Sequence, residues 1–307
     1  MSERGLNAKY AEFKHEYADV NGVRLHYVTR GQGKLMLFAH GFPEFWYMWK
    51  DQLVEFGQDH QAVALDMRGY NLSSKPEGVA AYQMDLLIED FRALAEHLGH
   101  RTFTLVSHDW GGVVAWAFAM RHPDWLKRLI VINAPHLGVF ARLLAGNPDQ
   151  IAASQYIRMF RTPDGEKILS ANQYAALFNA VQTEARRLSV TDRAMYLEAW
   201  SRPGALTGGL NYYRASAFEP PAAGQPLDEA RVRQVKAVDP APFMVRVPTL
   251  VIWGERDTAL TVHNLDGLER YVPDLSVRRI ADGSHWVVGE QPLAVNSHIR
   301  DFIRARP

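Results

Sequence analysis

Short apolar runs alternate with longer amphipathic segments along most of the 307-residue chain. Apolar residues at helical spacing predict α-helices at 84–98, 112–121 and 293–304. The short apolar runs predict β-strands at residues 17–20, 23–29, 34–39, 60–66, 102–106, 129–133, 247–253 and 275–280. Because strands alternate with helices, the predicted fold class is α/β, with a mostly parallel sheet that helices cover on both faces.

The first two predicted strands are separated by Asn21-Gly22. Both residues tolerate a positive φ, which a two-residue hairpin turn requires. The run at 34–39 is apolar after its first residue, as expected of a strand that is buried on both faces. The sequence therefore predicts an antiparallel hairpin followed by a central strand.

One long segment breaks the alternation of strands and helices. Residues 137–240 are rich in Tyr, Arg and Ala, contain no strand-like run and predict helices. The alternation resumes after this segment. We therefore expect an α/β core built from residues 1–136 and 241–307, with residues 137–240 inserted as an all-helical cap, or lid.

The composition narrows the function classes. With 47% hydrophobic and 22% charged residues, the chain is typical of a folded domain and not of a disordered one. Its 34 basic residues balance 34 acidic residues, so no net charge attracts nucleic acid or a membrane, and neither partner is predicted. The absence of cysteine excludes disulfides, thiolate nucleophiles and cysteine-ligated metal centres.

The first 19 residues are charged throughout and lack the apolar stretch of a secretory leader. No apolar run of the sequence approaches the length that spans a bilayer. The expected location is therefore cytoplasmic. The sequence leaves the oligomeric state open, and a homodimer is one option.

The strongest chemical signal lies at residues 104–112 (TLVSHDWGG), where a predicted strand runs directly into a helix. Ser107 and Gly111 are small, which lets strand and helix pass closely at a sharp, strained turn that pushes Asp109 outward. The helix N-terminus favours the ionised, nucleophilic form of its carboxylate. Asp109 is therefore the predicted nucleophile, and the alternative is a simple N-cap residue.

Two further polar turns follow later strands, in the order nucleophile, acid, histidine that this fold class uses. Asp257 ends the motif WGERD and is placed to orient an imidazole. His285 lies in the motif DGSHW and is the predicted general base. The alternatives are a turn residue at Asp257 and a structural histidine at His285.

A fourth element is the loop HGFPE at residues 40–44, directly after the buried strand 34–39. A loop at this position can aim the backbone N–H of Phe42, together with that of Trp110, at a developing oxyanion. We expect Glu44 to help hold a water molecule. The alternative for Glu44 is a solvated loop carboxylate.

Taken together, these motifs resemble those of the α/β-hydrolase fold superfamily and, within it, of the epoxide hydrolases that use an aspartate nucleophile. The resemblance covers residues 17–303 and implies the α/β-hydrolase fold. One departure is Asn71, where the family usually has glycine, although asparagine tolerates a left-handed backbone. The matching motifs are HGFPEFWYMW (40–49), LDMRGYNLSSKP (65–76), SHDWGG (107–112), GERD (254–257) and GSHWVVGEQP (283–292).

An aspartate at the strained turn suits displacement at a saturated carbon, which forms an alkyl-enzyme ester, whereas a serine would suit attack on a carbonyl. His285, oriented by Asp257, would then activate water to hydrolyse the ester. This chemistry needs no metal and no organic cofactor. The expected partners are a small epoxide and water.

The alternative within enzymes is a haloalkane dehalogenase with the same triad. An epoxide leaves as an alkoxide that needs a proton donor, whereas a halide needs only stabilisation of its charge. The resemblance places ring-opening tyrosines at Tyr156 and Tyr213, which favours epoxides. Haloalkane dehalogenases often have Asn where this chain has Phe42, and fluoroacetate dehalogenases have Arg where it has Trp110.

A third hypothesis comes from a different class of protein. A non-catalytic binding protein could keep this fold, because a fold alone does not carry a function. Loss of one triad member would be its mark in the sequence. Asp109, Asp257 and His285 are all present, which favours an enzyme.

Overall fold

Eight strands form one sheet in the computed structural model, which describes residues 13–306. The strands are β1 (Lys14–Val20), β2 (Val23–Arg30), β3 (Leu35–Ala39), β4 (Gln61–Leu65), β5 (Phe103–His108), β6 (Leu126–Ile132), β7 (Thr249–Gly254) and β8 (Leu275–Ile280). Their order across the sheet is β1-β2-β4-β3-β5-β6-β7-β8. The β1–β2 and β2–β4 pairs are antiparallel and the other neighbours are parallel, which confirms the predicted sheet.

Twelve α-helices occur within residues 13–306. They are α1 (Lys50–Phe56), α2 (Met84–His97), α3 (Asp109–Arg121), α4 (Leu137–Gly146), α5 (Pro148–Ala153), α6 (Gln155–Arg161), α7 (Gly165–Val181), α8 (Val190–Ser201), α9 (Ala205–Ala215), α10 (Glu229–Lys236), α11 (Val287–Glu290) and α12 (Pro292–Ala305). Short 3-10 turns lie at Trp46–Trp49, Val79–Tyr82, Pro123–Trp125, Ala241–Phe243, Val262–Leu265 and Leu268–Arg270.

The predicted hairpin and central strand are confirmed. Asn21 and Gly22 join β1 to β2 with φ values of 49° and 72°, the left-handed backbone that these two residue types tolerate. β3 lies between β4 and β5, and all five of its residues are buried. Full burial of one large aliphatic side chain contributes about 1.5–3 kcal/mol to the free energy of folding. The buried side chains of β3 therefore stabilise the centre of the sheet.

The chain between β6 and β7 is helical, as the sequence predicts. It contains α4 to α10 and no strand between residues 133 and 248, all of which the structure describes. The sequence did not predict an interruption inside α7, where Asn172, Gln173 and Tyr174 have positive φ values of 50°, 55° and 62°. These three left-handed residues divide α7 into two parts.

Asn71 links the core to the helical segment. Its φ of 40° is left-handed, so asparagine fills the position of the family's usual glycine in the manner expected. Its side-chain nitrogen donates to Asp66 Oδ2 at 2.8 Å, and its side-chain oxygen accepts from Arg202 Nε at 3.1 Å. A glycine at this position would lack both hydrogen bonds.

No helix within residues 13–306 combines the length and the hydropathy that a membrane crossing requires. Most of the N-terminal stretch on which the expected absence of a leader depends lies outside the described residues. The cytoplasmic location stays a prediction.

A buried ion pair joins the loop after β4 to α2. Arg68 Nη2 donates to Asp90 Oδ1 and Arg68 Nε donates to Asp90 Oδ2, both at 2.6 Å. The two side chains are each 3% exposed. The Tyr212 hydroxyl donates to the backbone carbonyl of Arg68 at 2.8 Å, so the ion pair also supports the position of α9.

Replacing Arg68 with methionine should lower the free energy of unfolding by about 3–5 kcal/mol, because it leaves the Asp90 carboxylate buried without its cation. Urea unfolding of the variant measures this loss. The double variant Arg68→Met/Asp90→Leu removes both charges and should recover most of the stability. A double variant as unstable as the single one would contradict the prediction.

Candidate active site

The turn between β5 and α3 holds Asp109 in a strained backbone conformation. Its φ of 51° lies in the left-handed region, which costs a residue with a side chain about 1–2 kcal/mol. A Cβ atom on Gly111 would lie 2.4 Å from the carbonyl oxygens of Ala39 and His40. The sharp turn and the need for a small residue at 111 are therefore as the sequence predicts.

Backbone amides of two residues point at the Asp109 carboxylate. Phe42 N donates to Asp109 Oδ1 at 2.7 Å, and the Trp110 amide also bonds this carboxylate. A Cβ atom on Gly41 would lie 2.0 Å from Asp109 Oδ1, so the loop before Phe42 passes very close to the carboxylate. The structure brings together the two amides that the sequence assigned to an oxyanion hole.

His285 lies between two carboxylates. Its Nδ1 is 2.7 Å from Asp257 Oδ2, and its Nε2 is 3.7 Å from Asp109 Oδ2. The side chains of Asp109 and His285 are each about one-tenth exposed, and that of Asp257 is fully buried. Asp257 therefore orients the imidazole, and the opposite ring nitrogen faces Asp109.

Burial and charge act in opposite directions on these groups. Burial raises the pKa of Asp109, although the charge of His285 and the two backbone amides oppose this rise. The helix N-terminus alone therefore does not set the ionisation of Asp109. Burial by itself would lower the pKa of His285, but the carboxylates of Asp257 and Asp109 raise it to about 9.

A cavity of about 250 Å³ opens on Asp109 and His285. Tyr156 from α6 and Tyr213 from α9 both line it, and their ring centroids are 6.1 Å apart. Burial raises the pKa of both phenols, and the charge of Asp109 raises it further, so both phenols are protonated at neutral pH. The remaining lining is mainly apolar and includes Phe160, Leu177, Ala180 and Trp286.

Glu44 does not line this cavity. Its carboxylate is buried, where Oε1 accepts from Arg186 Nη1 at 2.7 Å and Oε2 accepts from the Tyr196 hydroxyl at 2.5 Å. The alternative of a solvated loop carboxylate is therefore wrong. Each carboxylate oxygen has a second lone pair, so a role in holding water stays a prediction.

Two residues that the sequence analysis did not single out contact the triad. Asn133 Nδ2 donates to Asp257 Oδ2 at 2.8 Å, and His108 Nε2 donates to the His285 carbonyl at 2.8 Å. Asn133 follows β6 directly, and a polar residue at the carboxyl end of a buried parallel strand is a signal that could have found it. His108 precedes the proposed nucleophile, but nothing in the sequence indicated its contact with His285.

Comparisons with known proteins show which family the chain belongs to. Residues 34–292 match the family model of the alpha/beta hydrolase fold. Epoxide hydrolase 4 of Mus musculus is 37% identical, over 92% of this chain and 77% of the relative. Epoxide hydrolase 3 of Xenopus tropicalis is 36% identical, over 92% of this chain and 76% of the relative.

A solved structure extends the likeness to three dimensions. A Bacillus megaterium epoxide hydrolase in complex with an inhibitor superposes with a TM-score of 0.86 at 38% identity. The superposition covers 94% of this chain and 100% of that one. From the family match, the identities and the shared structure, this chain belongs to the α/β-hydrolase fold family and, within it, to the epoxide hydrolases.

Proposed function

We propose that this enzyme converts epoxides to vicinal diols through an ester on Asp109 that water, activated by His285, then hydrolyses. The observation that carries the proposal is that Asp109 lines the same cavity as His285 and two tyrosines. His285 stands on one side of Asp109, and the phenols of Tyr156 and Tyr213 line the same cavity. This set supplies a nucleophile, a base and proton donors for an alkoxide.

In the first half-reaction, Asp109 Oδ2 attacks an oxirane carbon. Oδ1 is held by the Phe42 amide, whereas Oδ2 faces His285, so Oδ2 forms the new C–O bond. The C–O bond of the ring breaks, and a hydroxyl of Tyr156 or Tyr213 donates its proton to the departing alkoxide oxygen. The product is a hydroxyalkyl ester of Asp109.

In the second half-reaction, His285 becomes the base. Ester formation removes the charge of Asp109, one of the carboxylates that raise the pKa of His285, so this pKa falls. The imidazolium proton restores the tyrosine, and neutral His285 then accepts a proton from water as its oxygen attacks Asp109 Cγ. The amides of Phe42 and Trp110 stabilise the negative charge that develops on Oδ1.

Collapse of the tetrahedral intermediate breaks the ester bond and completes the cycle. The diol oxygen leaves as an alkoxide and takes the proton of the carboxylic acid that hydrolysis produces on Asp109. Asp109 returns to a carboxylate, and His285 keeps the proton from water. The sum of the two half-reactions is epoxide plus water to diol, and no cofactor enters either step.

The helical segment and the cavity lining support the choice of substrate. Because Tyr156 and Tyr213 belong to α6 and α9, we propose that residues 137–240 act as the cap that brings the proton donors to the nucleophile. Among the described residues that line the 250 Å³ cavity there is no lysine or arginine. Neutral epoxides with apolar substituents therefore suit the cavity better than haloacids, whose carboxylate would need a cation.

The variant His285→Gln should accumulate the ester, because it lacks the base of the second half-reaction. Incubation with styrene oxide should add one substrate mass to the intact protein and to the peptide that contains Asp109. The double variant with Asp109→Ala should show no adduct. An adduct from a 1-haloalkane alone would favour a dehalogenase, and no adduct from either compound would favour a binding protein.

The variants Tyr213→Phe and Tyr156→Phe should each slow ester formation. In the double variant the rate of ester formation should fall by about 10²–10⁴-fold, because no phenol remains to donate a proton. Single-turnover formation of the ester from styrene oxide measures the effect. Tyr17→Phe, which changes a phenol on the exposed strand β1, is the matched control and should leave the rate unchanged. Full ring-opening by the double variant would contradict the proposed role of the phenols.

Asn133→Gly should reduce both stability and turnover. Glycine fits the φ of 39°, so the substitution removes the hydrogen bonds to Asp257 and to the Gly254 amide without adding backbone strain. We expect a loss of about 1–3 kcal/mol in the free energy of unfolding, measured with urea. We also expect slower ester hydrolysis, since Asp257 loses a partner that holds it. Unchanged hydrolysis in a destabilised variant would mean that Asn133 supports only the fold.

A further inference from the structure

Arg186 reaches from the helical segment into the core. It belongs to residues 182–189, which join α7 to α8 and which we name the cap loop. Arg186 Nη1 donates to Glu44 Oε1 at 2.7 Å, and Nη2 donates to the hydroxyl oxygen of Tyr196. Because its side chain is only 12% exposed, Arg186 is a nearly buried cation at the contact between the helical segment and the α/β core.

The carboxylate of Glu44 is paired with this cation. The Glu44 side chain has no exposure to solvent, and within the described residues its ion-pair partner is Arg186. An ionised carboxylate is unfavourable in a buried position unless a cation and hydrogen bonds compensate it. Burial alone would lower the pKa of Arg186, but the charge of Glu44 raises it, so the ion pair favours the charged guanidinium.

The guanidinium of Arg186 also lies close to the backbone of Gly289. α11 begins two residues after His285, and it carries Gly289. A Cβ atom on Gly289 would lie 2.7 Å from Arg186 Nε. Glycine at this position therefore leaves the space that the guanidinium occupies.

The cap loop is also bonded to the loop that carries His285. The Thr183 hydroxyl donates to Glu290 Oε1 at 2.5 Å, and Ser284 N donates to Glu290 Oε2 at 2.8 Å. Arg186 N donates to Thr183 Oγ1 at 3.1 Å. The cap loop thus contacts the loop of the proposed oxyanion hole through Glu44 and the loop of the proposed base through Glu290.

Glu44, the partner of Arg186, is one of the charged groups that act on the imidazole of His285. Asp257, Asp109 and Glu44 act on His285 with negative charge, and the neutral ring of His108 lies against it with centroids 4.6 Å apart. Tyr156 and Tyr213, by contrast, line the cavity that Glu44 does not reach. Glu44 is therefore placed to influence His285, and not the opening of the epoxide ring.

We propose that Arg186 is a positioning residue for the second half-reaction, in which its ion pair with Glu44 holds that carboxylate in place once the cap loop packs on the core. This inference rests on the proposed function and on the role expected of Glu44 from the sequence, which is to help hold the water that His285 activates. Loss of Arg186 should therefore slow hydrolysis of the Asp109 ester more than its formation. A purely structural ion pair would slow neither step selectively.

The test is a single-turnover comparison of Arg186→Gln with the unmodified enzyme, using styrene oxide. Stopped-flow fluorescence of Trp110 and Trp286, which lie at the proposed nucleophile and in the cavity lining, follows ester formation. Rapid quenching and diol analysis follow hydrolysis. We expect hydrolysis to fall by about 10- to 100-fold, as for a misplaced reacting group, while ester formation changes much less, so that the ester accumulates.

Matched variants separate charge from structure. Arg187→Gln makes the same change at an exposed neighbour and should leave both rates unchanged. Arg186→Lys keeps the positive charge and should recover part of the hydrolysis rate. Glu44→Gln should also slow hydrolysis, and the double variant Arg186→Gln/Glu44→Gln should be no slower than the single variants, because the two residues act as a unit.

Equal slowing of both half-reactions in Arg186→Gln, or slow hydrolysis in Arg187→Gln, would overturn the inference. If Arg186→Gln does not fold, Gly289→Ala displaces the guanidinium by placing a methyl group against it and must show the same selective loss of hydrolysis. Failure of the proposed function is distinguishable, because His285→Gln would then form no ester with styrene oxide. Normal ester chemistry without a selective effect would reject the role of Arg186 alone.

Discussion

The strained turn at Asp109 is the constraint on which the rest of the site depends. A left-handed aspartate is tolerated because β5 and α3 are buried on both sides of it and hold its backbone. At Gly41 and Gly111 the neighbouring atoms come so close that a side chain would not fit. The sheet, and not the contacts of the carboxylate itself, therefore determines where the nucleophile of the proposed reaction stands.

Three buried carboxylates lie around this turn, and each needs compensation. Asp109 has two backbone amides and His285, Asp257 has His285 and Asn133, and Glu44 has Arg186 and Tyr196. A buried carboxylate is unfavourable unless hydrogen bonds or an opposite charge compensate it. Because Arg186 and Tyr196 come from the helical segment, the charge balance of the core is complete only when that segment packs on it.

Much of the fold could be predicted because its signals are local. Buried strands are short apolar runs, the hairpin is marked by Asn21-Gly22, and the helical segment lacks any strand-like run. The left-handed residues inside α7 could not be predicted, since Asn172 to Tyr174 carry no glycine that would mark them. The assignment of Tyr156 and Tyr213 depended on family resemblance, because any of the 12 tyrosines could have been a packing residue.

By itself, the sequence determined the order of the strands along the chain, the strained turn at Asp109 and the polar residues Asp257 and His285 after later strands. These features depend on a few neighbouring residues, so a linear pattern carries them. The tertiary structure alone decided which side chain compensates each buried carboxylate. Asn133 meets Asp257 across 124 positions and Arg186 meets Glu44 across 142, and such contacts follow from how the helical segment and the strands pack, which no local pattern encodes.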